Sequence, residues 1–264
     1  MKELDLPGFI SAGQLKDSAS EYVIVDCEPK HVYQRSPIPG AHHSPCRYWK
    51  GEGSDKGLLG INDPDLFADL VSSWGIQLDS KLVAYDQSGG LYAARLCWTL
   101  ERFGFTNSCV LDGGLQAWIE EGSPITRELP QTSESHFQWS PVRDFNVAHH
   151  TDLKSAIEKE DVVFWDNRSD QEWGRGRIPG ARHLEWSRLN DEAGRLLKKP
   201  ELLSQLKVLN LQSDAPVYVY CLAGVRAAHG YWVLKSLGYR DVKVYDGSWV
   251  QYEPSGLLIE KNVR

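Results

Sequence analysis

Cys221 follows directly on the apolar run Val217-Tyr218-Val219-Tyr220 and precedes Leu222-Ala223-Gly224-Val225-Arg226. A cysteine between the end of a strand and the start of a helix sits where backbone N–H groups have no partner, and their dipoles favour the thiolate. Gly224 lets the backbone curl around the sulfur, no acidic residue stands in the loop, and Arg226 supplies a fixed positive charge. The chemistry this predicts is nucleophilic: a thiolate attacks an anionic substrate and holds a covalent intermediate. Cysteine phosphatases combine the same two residue types, but in a Cys-x5-Arg loop that encircles a tetrahedral phosphate. Only four residues separate Cys221 from Arg226, so this loop is one residue short, with Ala227 where that arginine would stand.

The other cysteines read as packing residues: Cys97 in the helical pattern Tyr92–Phe103, Cys109 in a short strand, and Cys27 and Cys46 without a supporting pattern. The pairs His42-His43 and His149-His150 invite a metal reading, but adjacent side chains point apart in regular structure. No acidic or cysteine ligand set accompanies them, so no metal is expected. His229, eight positions after Cys221, reads as a packing or surface residue and not as a base.

These residues are positioned by a duplicated architecture. Val23-Ile24-Val25-Asp26 with Ile38-Pro39-Gly40-Ala41 reappears as Val162-Val163-Phe164-Trp165-Asp166 with Ile178-Pro179-Gly180-Ala181. Asp26 and Asp166 lie 140 residues apart, Tyr85 and Tyr220 lie 135 apart, and Asp112 and Asp246 lie 134 apart, in the same order. Two units of this length are domains and not stacked repeats. Each predicts a buried strand (Val23–Val25; Val162–Phe164), a turn at Pro-Gly and an amphipathic helix (Asp65–Trp74; Pro200–Leu209) ending at Gly75 or Asn210. A second strand (Leu82–Tyr85; Val217–Tyr220), a short loop and a helix stopping at Gly104 or Gly238 follow. A third strand (Cys109–Leu111; Lys243–Tyr245) then meets Asp-Gly. Alternating strands and helices make each unit α/β, a mainly parallel sheet flanked by helices. The expected boundaries are 1–130 for the first domain, 131–143 for a linker rich in Pro, Ser and Thr, and 144–264 for the second.

At the carboxyl end of the central strand, where ligands bind in such sheets, the second copy has Cys221 and the first has Asp86. A carboxylate cannot shuttle sulfur and repels anions, so the first domain is expected to be non-catalytic. Its loop, beginning Asp86-Gln87-Ser88-Gly89-Gly90-Leu91, is one residue longer. Asp86 and Arg95 are candidates to shape the substrate pocket from the first copy, and Trp249 to line it from the second.

Of 264 residues, 41% are hydrophobic and 25% charged, ordinary values for a globular chain of one or two domains. The net charge of −7 argues against nonspecific nucleic-acid binding, and the apolar runs fall short of a membrane helix. The first residues lack the basic and apolar regions of a secretory signal. Five widely spaced cysteines without Cys-x-x-Cys exclude a fully paired disulfide framework and fit a reducing cytoplasm.

With these motifs in place, the chain resembles the tandem-domain rhodaneses, sulfurtransferases of the thiosulfate or 3-mercaptopyruvate type. The resemblance rests on Asp166-x-Arg168, Ile178-Pro179-Gly180-Ala181, Tyr220-Cys221-x-x-Gly224-Val225 and Tyr245-Asp246-Gly247-Ser248-Trp249, and it spans nearly the whole length. It implies two homologous rhodanese-like domains, the second catalytic. Cys221 would take the outer sulfur of a small anionic donor as a persulfide and yield it to a thiophilic acceptor such as cyanide or a thiol. The residues Leu222, Ala223, Gly224, Val225 and Arg226 would form the anion cradle, and Arg168 would be the substrate-contacting arginine. No cofactor is implied, and a protein that accepts sulfur is a further partner class. Thiosulfate enzymes often read Cys-Arg-Lys-Gly-Val-Thr here, and mercaptopyruvate enzymes Cys-Gly-Ser/Thr-Gly-Val-Thr. This loop lacks both the lysine and the hydroxyl, and Arg226 replaces threonine. Gln171–Arg177 is shorter than the arginine-containing insert of many mercaptopyruvate enzymes, which favours thiosulfate or another small sulfur-bearing anion.

Overall fold

The computed structural model describes residues 6–44, 64–131, 144–212 and 214–261. Cys46, and all of the expected linker except Gln131, lie outside the described residues. The chain divides between residues 143 and 144 into two α/β units, with Ala193–Arg195 grouped with the first.

In the first unit the strands are β1 (Phe9–Ile10), β2 (Tyr22–Asp26), β3 (His42–His43), β4 (Lys81–Tyr85) and β5 (Ser108–Leu111). They form one parallel sheet in the order β1-β5-β4-β2-β3. Around it lie α1 (Ala12–Ser18), α2 (Lys30–Tyr33), α3 (Pro64–Ser72), α4 (Leu91–Arg102) and α5 (Gly114–Glu120). Four consecutive residues of β4, Leu82 to Tyr85, are buried. A continuous apolar run of this kind is what a parallel strand covered on both faces requires. The helix after it, α4, is buried on nearly every side.

The second unit repeats the plan with β6 (Val163–Asp166), β7 (Arg182–His183), β8 (Val217–Tyr220) and β9 (Val242–Val244). These are parallel in the order β7-β6-β8-β9. The counterpart of β1 shrinks to a single parallel bridge, Val147 to Val244. The helices are α6 (His150–Lys159), α7 (Asp170–Arg175), α8 (Lys199–Leu206), α9 (Val225–Ser236) and α10 (Ser248–Tyr252). The helix expected to reach Leu209 ends its α-helical part at Leu206 and tightens into a 3-10 turn before Asn210, which takes the left-handed conformation at φ 42°.

Several elements escaped the sequence pattern. The edge strands β1, β3 and β7 have two residues each, too few to show a period. The helix α7 announces itself by a capping box instead: Ser169 Oγ accepts from the Glu172 N–H, and Glu172 Oε2 accepts from the Ser169 N–H. Among the described residues no helix is long and apolar enough to cross a membrane.

Candidate active site

Cys221 is the first residue beyond β8, and β6 and β9 flank that strand. Three contacts fix the strand end. The Tyr220 hydroxyl accepts from the Ile178 N–H at 3.3 Å, which ties the Pro-Gly turn to the strand. The Asn167 N–H donates to the Tyr220 carbonyl at 2.9 Å, and the Trp249 N–H to the Cys221 carbonyl at 3.0 Å. The first unit uses the same device, with the Tyr85 hydroxyl accepting from the Ile38 N–H and donating to Asp26. Gly224, at φ 81°, turns the chain into α9, so the expectation that this glycine curls the loop holds.

The loop was expected to aim its amides at the sulfur, but two of them close on a neighbouring hydroxyl. The N–H groups of Cys221 and Gly224 both donate to Ser248 Oγ, at 3.1 and 3.0 Å. That hydroxyl donates to the Tyr245 carbonyl at 2.8 Å and stands 4.0 Å from Cys221 Sγ. With both lone pairs occupied, Ser248 pins the two ends of the loop to one atom. The residue is fully buried and holds φ at +49°, a conformation that costs a non-glycine residue on the order of 1–3 kcal/mol. Sequence reasoning passed over Ser248. The signal was present in the duplication: Asp246-Gly247-Ser248 stands opposite Asp112-Gly113-Gly114, and Gly114 also has positive φ. A Cβ on Gly114 would lie 1.8 Å from the Asp86 carbonyl oxygen, so the first copy has no room for the hydroxyl.

Of the remaining loop residues, Leu222 is exposed and Ala223 half-buried, while Val225, Arg226 and Ala227 form the first turn of α9, where backbone N–H groups have no acceptor within the helix. The Arg226 guanidinium is clamped on both prongs, Nη1 to Glu172 Oε2 at 2.7 Å and Nη2 to Glu172 Oε1 at 2.8 Å. Burial works against the arginine's charge, yet Glu172 and the Cys221 thiol raise its pKa above the ordinary value. Burial also acts to raise the Glu172 carboxyl, but Arg226 and Ser169 overcome it and hold the pKa at about 2. The arginine expected as a free cation is therefore one half of an ion pair, and Glu172 is a second site residue that sequence reasoning missed.

Arg168, expected to contact substrate, is buried to 1% exposure. Its Nε meets both Asp166 oxygens at 3.0 Å, and its Nη2 donates to Asp166 Oδ2 at 2.6 Å and to the Gly176 carbonyl at 2.7 Å. The guanidinium stacks on the Trp249 ring at 4.2 Å. Through these contacts the guanidinium ties the ends of α7 and β6 to the segment that carries Ser248. Trp249, expected in the pocket lining, is the buried platform for this contact.

The first unit shows what the matching loop does with an anion. All four nearest donors close on the Asp86 carboxylate: Ser88 and Gly90 N–H on Oδ1 at 2.7 and 2.9 Å, Tyr92 and Ala93 N–H on Oδ2 at 2.7 and 2.9 Å. Burial lifts this carboxyl above its usual range, and the four amides oppose the lift. Asp86 thus fills its own cradle. Arg95, the other pocket candidate of this copy, is fully buried and packs over Trp98 at 4.2 Å.

Cys27, Cys97 and Cys221 are buried, and Cys109 is partly buried. Burial pushes the Cys109 thiol up to about 12, and Cys97 also rises, mainly by burial, as suits packing residues. His229 is buried edge-on to Trp186 at 5.3 Å. His43 bonds the Glu28 carbonyl and His150 the Tyr245 hydroxyl, each at 2.8 Å. Among the described residues no group of three His, Cys, Asp or Glu side chains could hold a metal ion.

The chain is similar to known proteins. The family described as Rhodanese-like domain matches residues 11–121 and 149–254. The thiosulfate sulfurtransferase of Azotobacter vinelandii is 31% identical over 250 residues, covering 90% of each chain. Sulfur carrier protein TtuD of Thermus thermophilus is 29% identical over 242 residues, covering 84% of each. The crystal structure of the 3-mercaptopyruvate sulfotransferase SseA from Escherichia coli superimposes with a TM-score of 0.80 at 25% identity, over 92% of this chain and 98% of that one.

Proposed function

The chain belongs to the rhodanese-like domain family as a sulfurtransferase, and from that premise we propose that it carries sulfur on Cys221. The donor is a small sulfur-bearing anion, with thiosulfate favoured, and the acceptor is a thiophile such as cyanide or a thiol. One observation carries the reading. Cys221 takes the place of a carboxylate that, in the sister unit, four N–H groups of the loop and the first turn of α4 hold as an anion.

In the first step the Cys221 thiolate attacks the terminal sulfur of thiosulfate. The donor's sulfur–sulfur bond breaks, its electron pair leaves with sulfite, and Cys221 holds the outer sulfur as a persulfide. In the second step the acceptor attacks that outer sulfur, and the bonding pair returns to Cys221 as thiolate. The amides at the start of α9 face the negative charge at each stage, in the manner of an oxyanion hole. Ser248 holds Cys221 and Gly224 in register, and Arg226 presents the one cation of the loop. Arg168 acts through the scaffold. Neither step calls on a metal or cofactor, and the setting is a reducing compartment in which the thiol stays free. Two successive transfers through one covalent intermediate give ping-pong kinetics.

The test is mass spectrometry after separate exposure to thiosulfate and to 3-mercaptopyruvate. The expected result is one added sulfur atom on Cys221 with thiosulfate, and none with Cys221→Ser. Substantial thiosulfate:cyanide transfer by Cys221→Ser would overturn the assignment. The likeness to a sulfur carrier supports a second reading, in which the acceptor is a protein. Rapid turnover with cyanide alone would count against it.

A further inference from the structure

The side chains at the mouth of the loop carry almost no net charge. Leu222 and Ala223 are apolar, and the charge of Arg226 is matched by Glu172 in a two-point ion pair beside the thiol. The pair is only partly exposed, 20% for the Arg226 side chain and 24% for Glu172, so solvent screens it incompletely. Glu172 is also held from its own helix, where Ser169 donates to Oε2 from both its N–H at 3.0 Å and its hydroxyl at 2.9 Å. It is therefore a fixed negative charge, placed where a dianionic donor would have to approach Arg226.

We propose that Glu172 is a specificity-determining residue that sets the charge of the sulfur donor. By clamping Arg226 next to Cys221, it weakens the hold on the thiosulfate dianion more than the hold on a singly charged sulfane-sulfur donor such as an organic thiosulfonate. A singly charged donor is satisfied by the loop amides alone. A dianion must compete with Glu172 for the guanidinium and meets the carboxylate's repulsion. The inference rests on the reading that Cys221 carries sulfur, with thiosulfate favoured over 3-mercaptopyruvate as its donor.

The test compares KM for thiosulfate with KM for methanethiosulfonate, a singly charged donor of the same reacting sulfur. Glu172→Gln removes the charge while preserving the capping box, in which glutamine serves as well as glutamate. The ratio of KM for thiosulfate to KM for methanethiosulfonate is expected to fall about fivefold, equivalent to about 1 kcal/mol. Taking both donors in one variant cancels any general damage to the site. Arg226→Gln, which leaves the carboxylate without its cation, is expected to move the ratio the other way. An unchanged or raised ratio in Glu172→Gln would mean that Glu172 only positions Arg226, and would overturn the inference. Wild-type protein that takes sulfur from neither donor would overturn the sulfur-transfer reading, and this inference with it. Loaded wild-type protein with an unchanged ratio overturns the inference alone.

Discussion

At Cys221 the deciding neighbour is a hydroxyl. Ser248 accepts from two amides that bracket the loop, so the sulfur's position depends on an atom contributed 27 residues later in the chain. Ser248→Ala leaves two buried N–H groups without an acceptor, and the expected cost is about 1–3 kcal/mol in denaturant unfolding, together with slower sulfur transfer. Ser248→Gly loses the same hydroxyl but relieves the positive φ, so it should unfold at higher denaturant concentration than Ser248→Ala while transferring sulfur equally slowly. If the two variants proved equally stable, strain at this position would be refuted. Cys221 as the candidate nucleophile and Gly224 as the turn residue were legible in the sequence because these readings follow from neighbours in the chain. Ser248 and Glu172 were not, because their partners are set by folding, and only the contrast of Ser248 with Gly114 hinted at the first of them.

The strand–loop–helix element appears twice, and each copy satisfies its loop amides differently. In the first unit each Asp86 oxygen accepts two N–H groups, so the element needs an acceptor at both positions. Asp86→Asn would turn an NH2 group toward two of those donors. The expected loss is at least about 2 kcal/mol in denaturant unfolding, and an isosteric change that cost nothing would show that the cradle needs no anion. In the second unit the element is coupled to α7 through Glu172. Its folded pKa of about 2 lies below the ordinary glutamate value of 4.5, so the group binds protons more readily when unfolded. Its contribution is therefore complete above pH 4.5 and is lost as pH falls toward 2, on the order of 2 kcal/mol before other groups are counted. Glu172→Gln should flatten the stability profile across that window. A profile as steep as the wild type's would assign acid sensitivity to other carboxylates.

For the whole molecule, duplication separates chemistry from architecture. Both units keep the parallel sheet, the tyrosine tied to the Pro-Gly turn and the glycine that opens the central helix, and only one keeps a thiol at the strand end. A full-length chain exposed to a donor should accordingly accept one sulfur atom, on the second unit. Loading of two sulfurs, or loading that survives Cys221→Ser, would show that a second thiol takes part. By itself the sequence determined two α/β units and the alternation of their main strands and helices, and it singled out Cys221 as the candidate nucleophile, because periodicity, turn residues and internal comparison are properties of neighbours along the chain. It did not determine the state of the charges. Arg168 and Arg226 look equally available as letters, yet one is buried against Asp166 and the other is clamped by Glu172. Ion pairing and burial depend on which side chains folding brings within a few ångströms of each other, and that is decided only by the tertiary structure.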